Sequence, residues 1–149
     1  MSLPDILVLD DVLSEEELKK WQNRVSVFTE QSNANSAQEM EQELLLDHAR
    51  KIVGDLLLIH APIFAIKKGQ EPTEMHHDTG EYAVVYYPFD CITGPLKTEQ
   101  GMIDVKQNRL VAMNVTKIMH QQIIPTDDSV RYSIAMKFSL RETIDDNFK

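Results

Sequence analysis

His76 and Asp78 stand two residues apart in the run Met75 to Asp78. In an extended segment, residues at that spacing project to the same side, so an imidazole and a carboxylate can reach one ion. Alone the unit says little, because a chain with five histidines and many acidic residues produces it by accident, usually in a solvated loop. His120 and Arg131 change its meaning. Two imidazoles and one carboxylate on one face of an octahedral iron leave three adjacent positions, enough for a bidentate oxo-acid and dioxygen. His76, Asp78 and His120 are the candidate ligands. Arg131 follows His120 after turn-prone residues from Thr126 to Ser129, so a hairpin return brings the two side by side. Its planar guanidinium suits a two-pronged grip on the far carboxylate of such an acid.

The remaining polar residues have plainer readings. Alternation turns His77 away from the side shared by His76 and Asp78, leaving it a surface or supporting residue. His48 reads as a core-edge residue of a helix and His60 as part of that helix's exit. Lys67 and Lys68, near a turn, read as solvated. Asn108 fits a tight turn and Arg109 a surface anchor beside it. Trp21, Phe28 and the methionines read as packing.

The segments carrying these residues differ in texture along the chain. After the apolar run Asp5 to Leu9, Ser14 and Glu17 have the spacing of a capping box, and Leu18, Trp21, Val25 and Phe28 form one apolar stripe. This predicts a helix from about Glu15. Ser36 and Glu39 repeat the capping spacing after the polar stretch Gln31 to Asn35, predicting a second helix to about Ile59, with Pro62 as its stop. Met40, Leu44, Ile52, Val53 and Leu56 mark its buried face. From Pro62 the pattern becomes short β-type runs: Ile63–Ile66, Tyr82–Tyr87, Met102–Val105, Arg109–Met113, Val115–Ile124 and Val130–Leu140. Helices followed by a series of strands predict an α+β fold whose strands close into a sandwich or barrel.

The final run alternates large apolar residues, Val130, Tyr132, Ile134, Met136 and Phe138, with Arg131, Ser133, Ala135, Lys137 and Ser139. If the large set backs onto the helices, Arg131 points to the other face, where Ser133 and Ala135 are too small to fill a barrel. The inference is an inward cavity with one cation.

Bulk properties set outer limits. A chain of 149 residues with 42% hydrophobic content fits one domain with a single core. Cys91 is the lone cysteine, which excludes an internal disulfide framework and fits a reducing compartment. No apolar run approaches a membrane span, and Asp10 and Asp11 follow the apolar start where a leader would carry a cleavage region, so the expected location is cytoplasmic. A net charge of −9 disfavours nucleic acid as a partner. Nothing points to a membrane or an obligate protein partner.

The sequence also resembles a known family, the prolyl-4-hydroxylase-like branch of the iron(II) and 2-oxoglutarate dependent oxygenases. The resemblance begins with ILVLDDVLSEEEL at Ile6 to Leu18 and continues through Gly69 and HHD at His76 to Asp78. It takes in YAVVYYPF at Tyr82 to Phe89, TGPL at Thr93 to Leu96, and the long run from Asn108 to Phe138. Only the second helix lacks landmarks. The resemblance implies a double-stranded β-helix, or cupin-like jelly roll, with two N-terminal helices backing the larger sheet. It implies iron(II) held by His76, Asp78 and His120, and 2-oxoglutarate held by Arg131, with Tyr87 touching the same carboxylate. Ascorbate is admitted as an accessory. The implied activity is hydroxylation with dioxygen, giving succinate and carbon dioxide, with a peptidyl proline or an amino acid favoured as substrate. Two features depart from the pattern. Ile66, Lys67 and Lys68 stand where many relatives carry a tyrosine before the glycine-containing loop, and the loop from Asp78 to Tyr82 is short. The competing readings are a jelly-roll module that binds a metal or ligand without turnover, and a structural protein with a buried polar network.

Overall fold

The computed structural model describes residues 3–27, 33–35, 37–71, 74–78 and 82–139. The expected cap holds at the first helix, α1 (Glu15–Val25), where the Ser14 side chain accepts from the Glu17 amide at 3.3 Å. Three glutamates crowd its first turn, where the helix dipole favours negative charge. Leu18, Trp21 and Val25 are buried in one stripe, each stabilising the fold by about 1.5–3 kcal/mol. Phe28, the next residue of that stripe, lies outside the described residues, as do the Ser36 cap, residues 31 and 32 of the polar stretch, and Leu140.

The second helix is shorter than its periodicity predicts and is broken in two. A single turn, α2 (Ala37–Met40), precedes α3 (Leu44–Val53). Glu43 stands at the α3 N-cap without capping it, because its carboxylate is taken by Lys20 at 2.8 Å and Arg24 at 3.3 Å on α1. Gly54, at φ +63°, ends α3 well before Pro62. Residues expected as helix therefore enter a ten-residue strand, β3 (Leu57–Ile66). Tertiary pairing overrides local periodicity here. Pro62 is tolerated because it faces Ala34 of a short edge strand, β2 (Asn33–Asn35), in a stretch where β3 makes no register pair with its other neighbour.

The other strands are β1 (Ile6–Leu9), β4 (Tyr82–Tyr87), β5 (Cys91–Thr98), β6 (Gly101–Val105), β7 (Arg109–Met113), β8 (His120–Gln122) and β9 (Arg131–Ser139). Among the described residues all pairings are antiparallel, in a six-stranded sheet of order β1-β7-β4-β9-β3-β2 and a three-stranded sheet of order β6-β5-β8. The result is an α+β, jelly-roll-like fold. β5 is absent from the sequence expectation because Gly94 and Pro95 punctuate it like a loop. Only His120–Gln122 of the expected strand Val115–Ile124 pairs in a sheet, the residues before it forming a turn closed by Asn114.

Two apolar cores separate the layers. Trp21, Val25, Leu45, Ala49 and Val53 of the helices pack on Tyr86, Ile134, Met136 and Phe138 of the large sheet. Ala83, Val85, Val111, Met113 and Ala135 from the opposite face meet Cys91, Leu96 and Val105 of the small sheet. The large residues of β9 do back onto the helices. Asn108, at φ +66°, turns the chain into β7, as its sequence context predicts, and also staples the N-terminal segment. Its side chain accepts from the Leu13 amide and the Tyr86 hydroxyl and donates to the Leu13 carbonyl. Arg109 is the expected surface anchor, paired in two prongs with Asp10. Among the described residues no helix is long and apolar enough to cross a membrane.

Candidate metal and ligand site

The cluster forms because two separate segments are stitched together by backbone. His76 and His120 exchange N–H···O bonds at 3.0 and 2.9 Å, and the Asp78 amide donates to the Val115 carbonyl at 2.9 Å. His76 thus adds one bridge beyond β8 to the edge of the small sheet. Extended backbone at 76–78 aims His76 and Asp78 the same way, while His77 is exposed.

His76 Nε2 lies 3.2 Å from Asp78 Oδ1, and His120 Nε2 lies 3.1 Å from Asp78 Oδ2. One donor atom from each of the three residues falls within 4.8 Å of the others. At bonds of about 2.1 Å, neighbouring ligands of an octahedral metal sit about 3.0 Å apart, so the imidazole–carboxylate separations suit a shared ion. The tautomers agree. His76 Nδ1 is 2.7 Å from the Glu74 carbonyl and His120 Nδ1 is 3.2 Å from the Ile118 carbonyl. A carbonyl only accepts, so Nδ1 is the donor to it in each ring, which leaves each Nε2, the atom facing the carboxylate, as the one available to bind a metal. Two imidazole Nε2 atoms gathered around one carboxylate make a donor set suited to a cation, and the residues fit a divalent metal.

Lys137 completes the cluster, its Nζ 3.0 Å from Asp78 Oδ2. Hydrogen bonding with His120, and then the charge of Lys137, hold the Asp78 carboxyl well below the usual carboxylate range against the opposing effect of burial. The expectation of an inward cavity with one cation is therefore corrected to two. Lys137 shares the inward face of β9 with Arg131, and its long stem carries the ammonium to the cluster.

A cavity of about 260 Å³ opens beside the cluster and is lined by His76, Asp78, His120, Lys137, Tyr87 and Arg131, with Phe64, Ile66, Leu96, Met113 and Ile124 as apolar wall. Arg131 is 1% exposed. It donates to the carbonyls of Gly94 at 2.8 Å and Ile123 at 2.5 Å and to Gln122 Oε1 at 2.6 Å. Its Nε is buried without a partner, and no carboxylate neutralises it among the described residues. Burial lowers its pKa, opposed by nearby Tyr87 and Cys91. Ser133, next on the same face, also has a buried hydroxyl without a partner. A buried guanidinium facing only neutral acceptors has the chemistry to receive an anion.

Tyr87, on β4, lies in the same cavity wall close enough to Arg131 for their charges to interact, and burial pushes its phenol up to about 12. Cys91 is buried and its thiol pKa is raised by that burial. Gly94 has a steric reason to be glycine. A Cβ there would meet Arg131, Cys91 and Pro125 at 3.1 Å each. His48 and His60 lie on α3 and β3, outside the cavity lining, and Lys68 pairs with Asp128 at 2.7 Å. Ile66 lines the cavity where a tyrosine was the family expectation. Sequence reasoning missed Lys137, Gly94 and Gln122. The alternation of β9 held the signal for Lys137, and the TGPL run held one for Gly94; nothing local marks Gln122.

No protein-family model and no curated protein matches the sequence. Solved structures do match the fold. HygX from Streptomyces hygroscopicus, with nickel and 2-oxoglutarate bound, aligns at TM-score 0.70 and 11% identity over 92% of this chain and 83% of its own. A prolyl-4-hydroxylase from Pseudomonas putida aligns at 0.70 and 11% identity, covering 92% and 93% of the two chains. The non-haem, α-ketoglutarate dependent carbocyclase SnoK of nogalamycin biosynthesis aligns at 0.67 and 16% identity, over 91% and 79%. The chain shares its fold with these structures.

Proposed function

We propose that this protein is an iron(II) and 2-oxoglutarate dependent oxygenase, its residues 1–149 forming one domain and its two sheets a double-stranded β-helix. The observation that carries the proposal is the placement, in one cavity, of the His76–Asp78–His120 donor set and the unneutralised guanidinium of Arg131. His76, Asp78 and His120 would hold the iron. When bound, the metal supplies oxidative decarboxylation of 2-oxoglutarate to succinate and carbon dioxide, coupled to oxygen insertion into the substrate.

The chain's own residues do the positioning. Arg131 binds the tail carboxylate of 2-oxoglutarate in two prongs, and Tyr87 borders the same end as a hydroxyl donor. Glu74 and Ile118 carbonyls hold the two imidazoles in the tautomer that presents Nε2. The apolar wall keeps water from the reacting end. Ascorbate would act as an accessory reductant.

For substrate we favour a peptidyl proline or an amino acid, in keeping with the sequence resemblance. One fold hosts many substrates, and the carbocyclase among the similar structures illustrates that range. The test is an anaerobic titration of metal-free protein with iron(II) and then 2-oxoglutarate, read at the visible charge-transfer band of the chelate. The expected result is a band that is absent in His120→Ala and needs far more 2-oxoglutarate in Arg131→Ala. No band and no retained iron would refute the proposal. A band without succinate formation, even uncoupled from substrate, would indicate a binding module instead.

A further inference from the structure

We propose that Lys137 is a positioning residue for Asp78, its ammonium holding Oδ2 so that Oδ1, beside His76 Nε2, is the oxygen left to bind a metal. The inference rests on the metal site proposed above and adds a residue to it. In the structure Oδ2 has two neighbours, His120 Nε2 at 3.1 Å and Lys137 Nζ at 3.0 Å. The His120 Nδ1 proton is already directed at the Ile118 carbonyl, so once Nε2 turns its lone pair to a cation that ring has no proton to give Oδ2. Lys137 is then the remaining donor. A carboxylate with both oxygens free can bind a cation through one or both, and two-oxygen binding would use a position that the co-substrate or dioxygen needs. An ammonium on one oxygen biases the choice toward single-oxygen binding.

The scaffold gives Lys137 the rigidity this role requires. β9 lies inside the large sheet, and Lys137 is paired in register with His60 of β3 on one side and Ala83 of β4 on the other. Its side chain is only 25% exposed, and Asp78 is its ion-pair partner among the described residues. Ordering a long, flexible side chain costs rotamer entropy, so a lysine pinned in a cavity wall needs a specific partner to offset it.

The test uses the full chain loaded anaerobically with cobalt(II), comparing wild type, Lys137→Met and Lys137→Arg. Wild type and Lys137→Arg are expected to share one visible ligand-field spectrum. Lys137→Met is expected to show a band of altered position and intensity and about tenfold weaker cobalt binding. Lys137→Met with the wild-type spectrum and affinity would overturn the inference and leave the metal site standing, and so would a lowered Tm without any spectral change. A wild-type chain that binds no cobalt would overturn both.

Discussion

The two faces of β9 are made of opposite materials. Toward the helices the strand presents Ile134, Met136 and Phe138, each fully buried in the larger apolar core. Toward the small sheet it presents Arg131, Ser133, Ala135 and Lys137, of which two are cations and one is a hydroxyl without a partner. A strand's period of two lets one backbone serve both faces independently. The outer face supplies burial energy, and the inner face carries the polar groups that burial energy must offset. Stability and ligand binding should therefore respond to different substitutions on the same strand and its neighbours.

The sharpest break in that division lies across the cavity at the cluster. His120→Ala should abolish iron and cobalt binding while leaving the helix-facing core intact, as read by metal titration alongside thermal melting. On the outer face Phe138→Ala should cost about 3–5 kcal/mol in urea unfolding. The folded fraction should still bind metal normally; weaker binding there would mean that the two faces are coupled. Arg131→Met should weaken 2-oxoglutarate by about 3 kcal/mol, on the order of a hundredfold, without altering cobalt binding. Gly94→Ala should act through Arg131 without touching the ligand, since its Cβ would displace the guanidinium, and a strain of about 1–3 kcal/mol should appear in both stability and 2-oxoglutarate affinity.

The smallest effect concerns acid. Asp78 has a folded pKa below its unfolded value, so in metal-free protein its carboxylate contributes stability that is fully present above the unfolded value of about 3.9. That contribution is lost as pH falls through the folded pKa. The difference in Tm between wild type and Asp78→Asn should be constant near neutrality and close on acidification below about pH 4. A difference that widened on acidification would contradict the assignment.

Much of this was legible before any coordinates. The Ser14 cap, the apolar stripe of α1, the two-faced pattern of β9 and the turn at Asn108 are local patterns, and the fold uses each as its spacing predicts. The second helix misled because periodicity cannot register that Glu43 is needed by Lys20 and Arg24, or that Leu57 to Ile66 will find a partner in β9. β5 was hidden because Gly94 and Pro95 look like a loop, although the glycine is there for its close approach to a guanidinium.

What the residues alone determined is which groups are available and which face of its own segment each one takes, because those follow from backbone periods of two and 3.6. What only the tertiary structure decided is distance: that His76 and His120 are bridged by backbone hydrogen bonds, that Arg131 is buried among carbonyls, and that Lys137 reaches Asp78. Such contacts join positions far apart in the chain, and their existence depends on strand register and on which sheet faces which. Neither is a property of any local window of sequence.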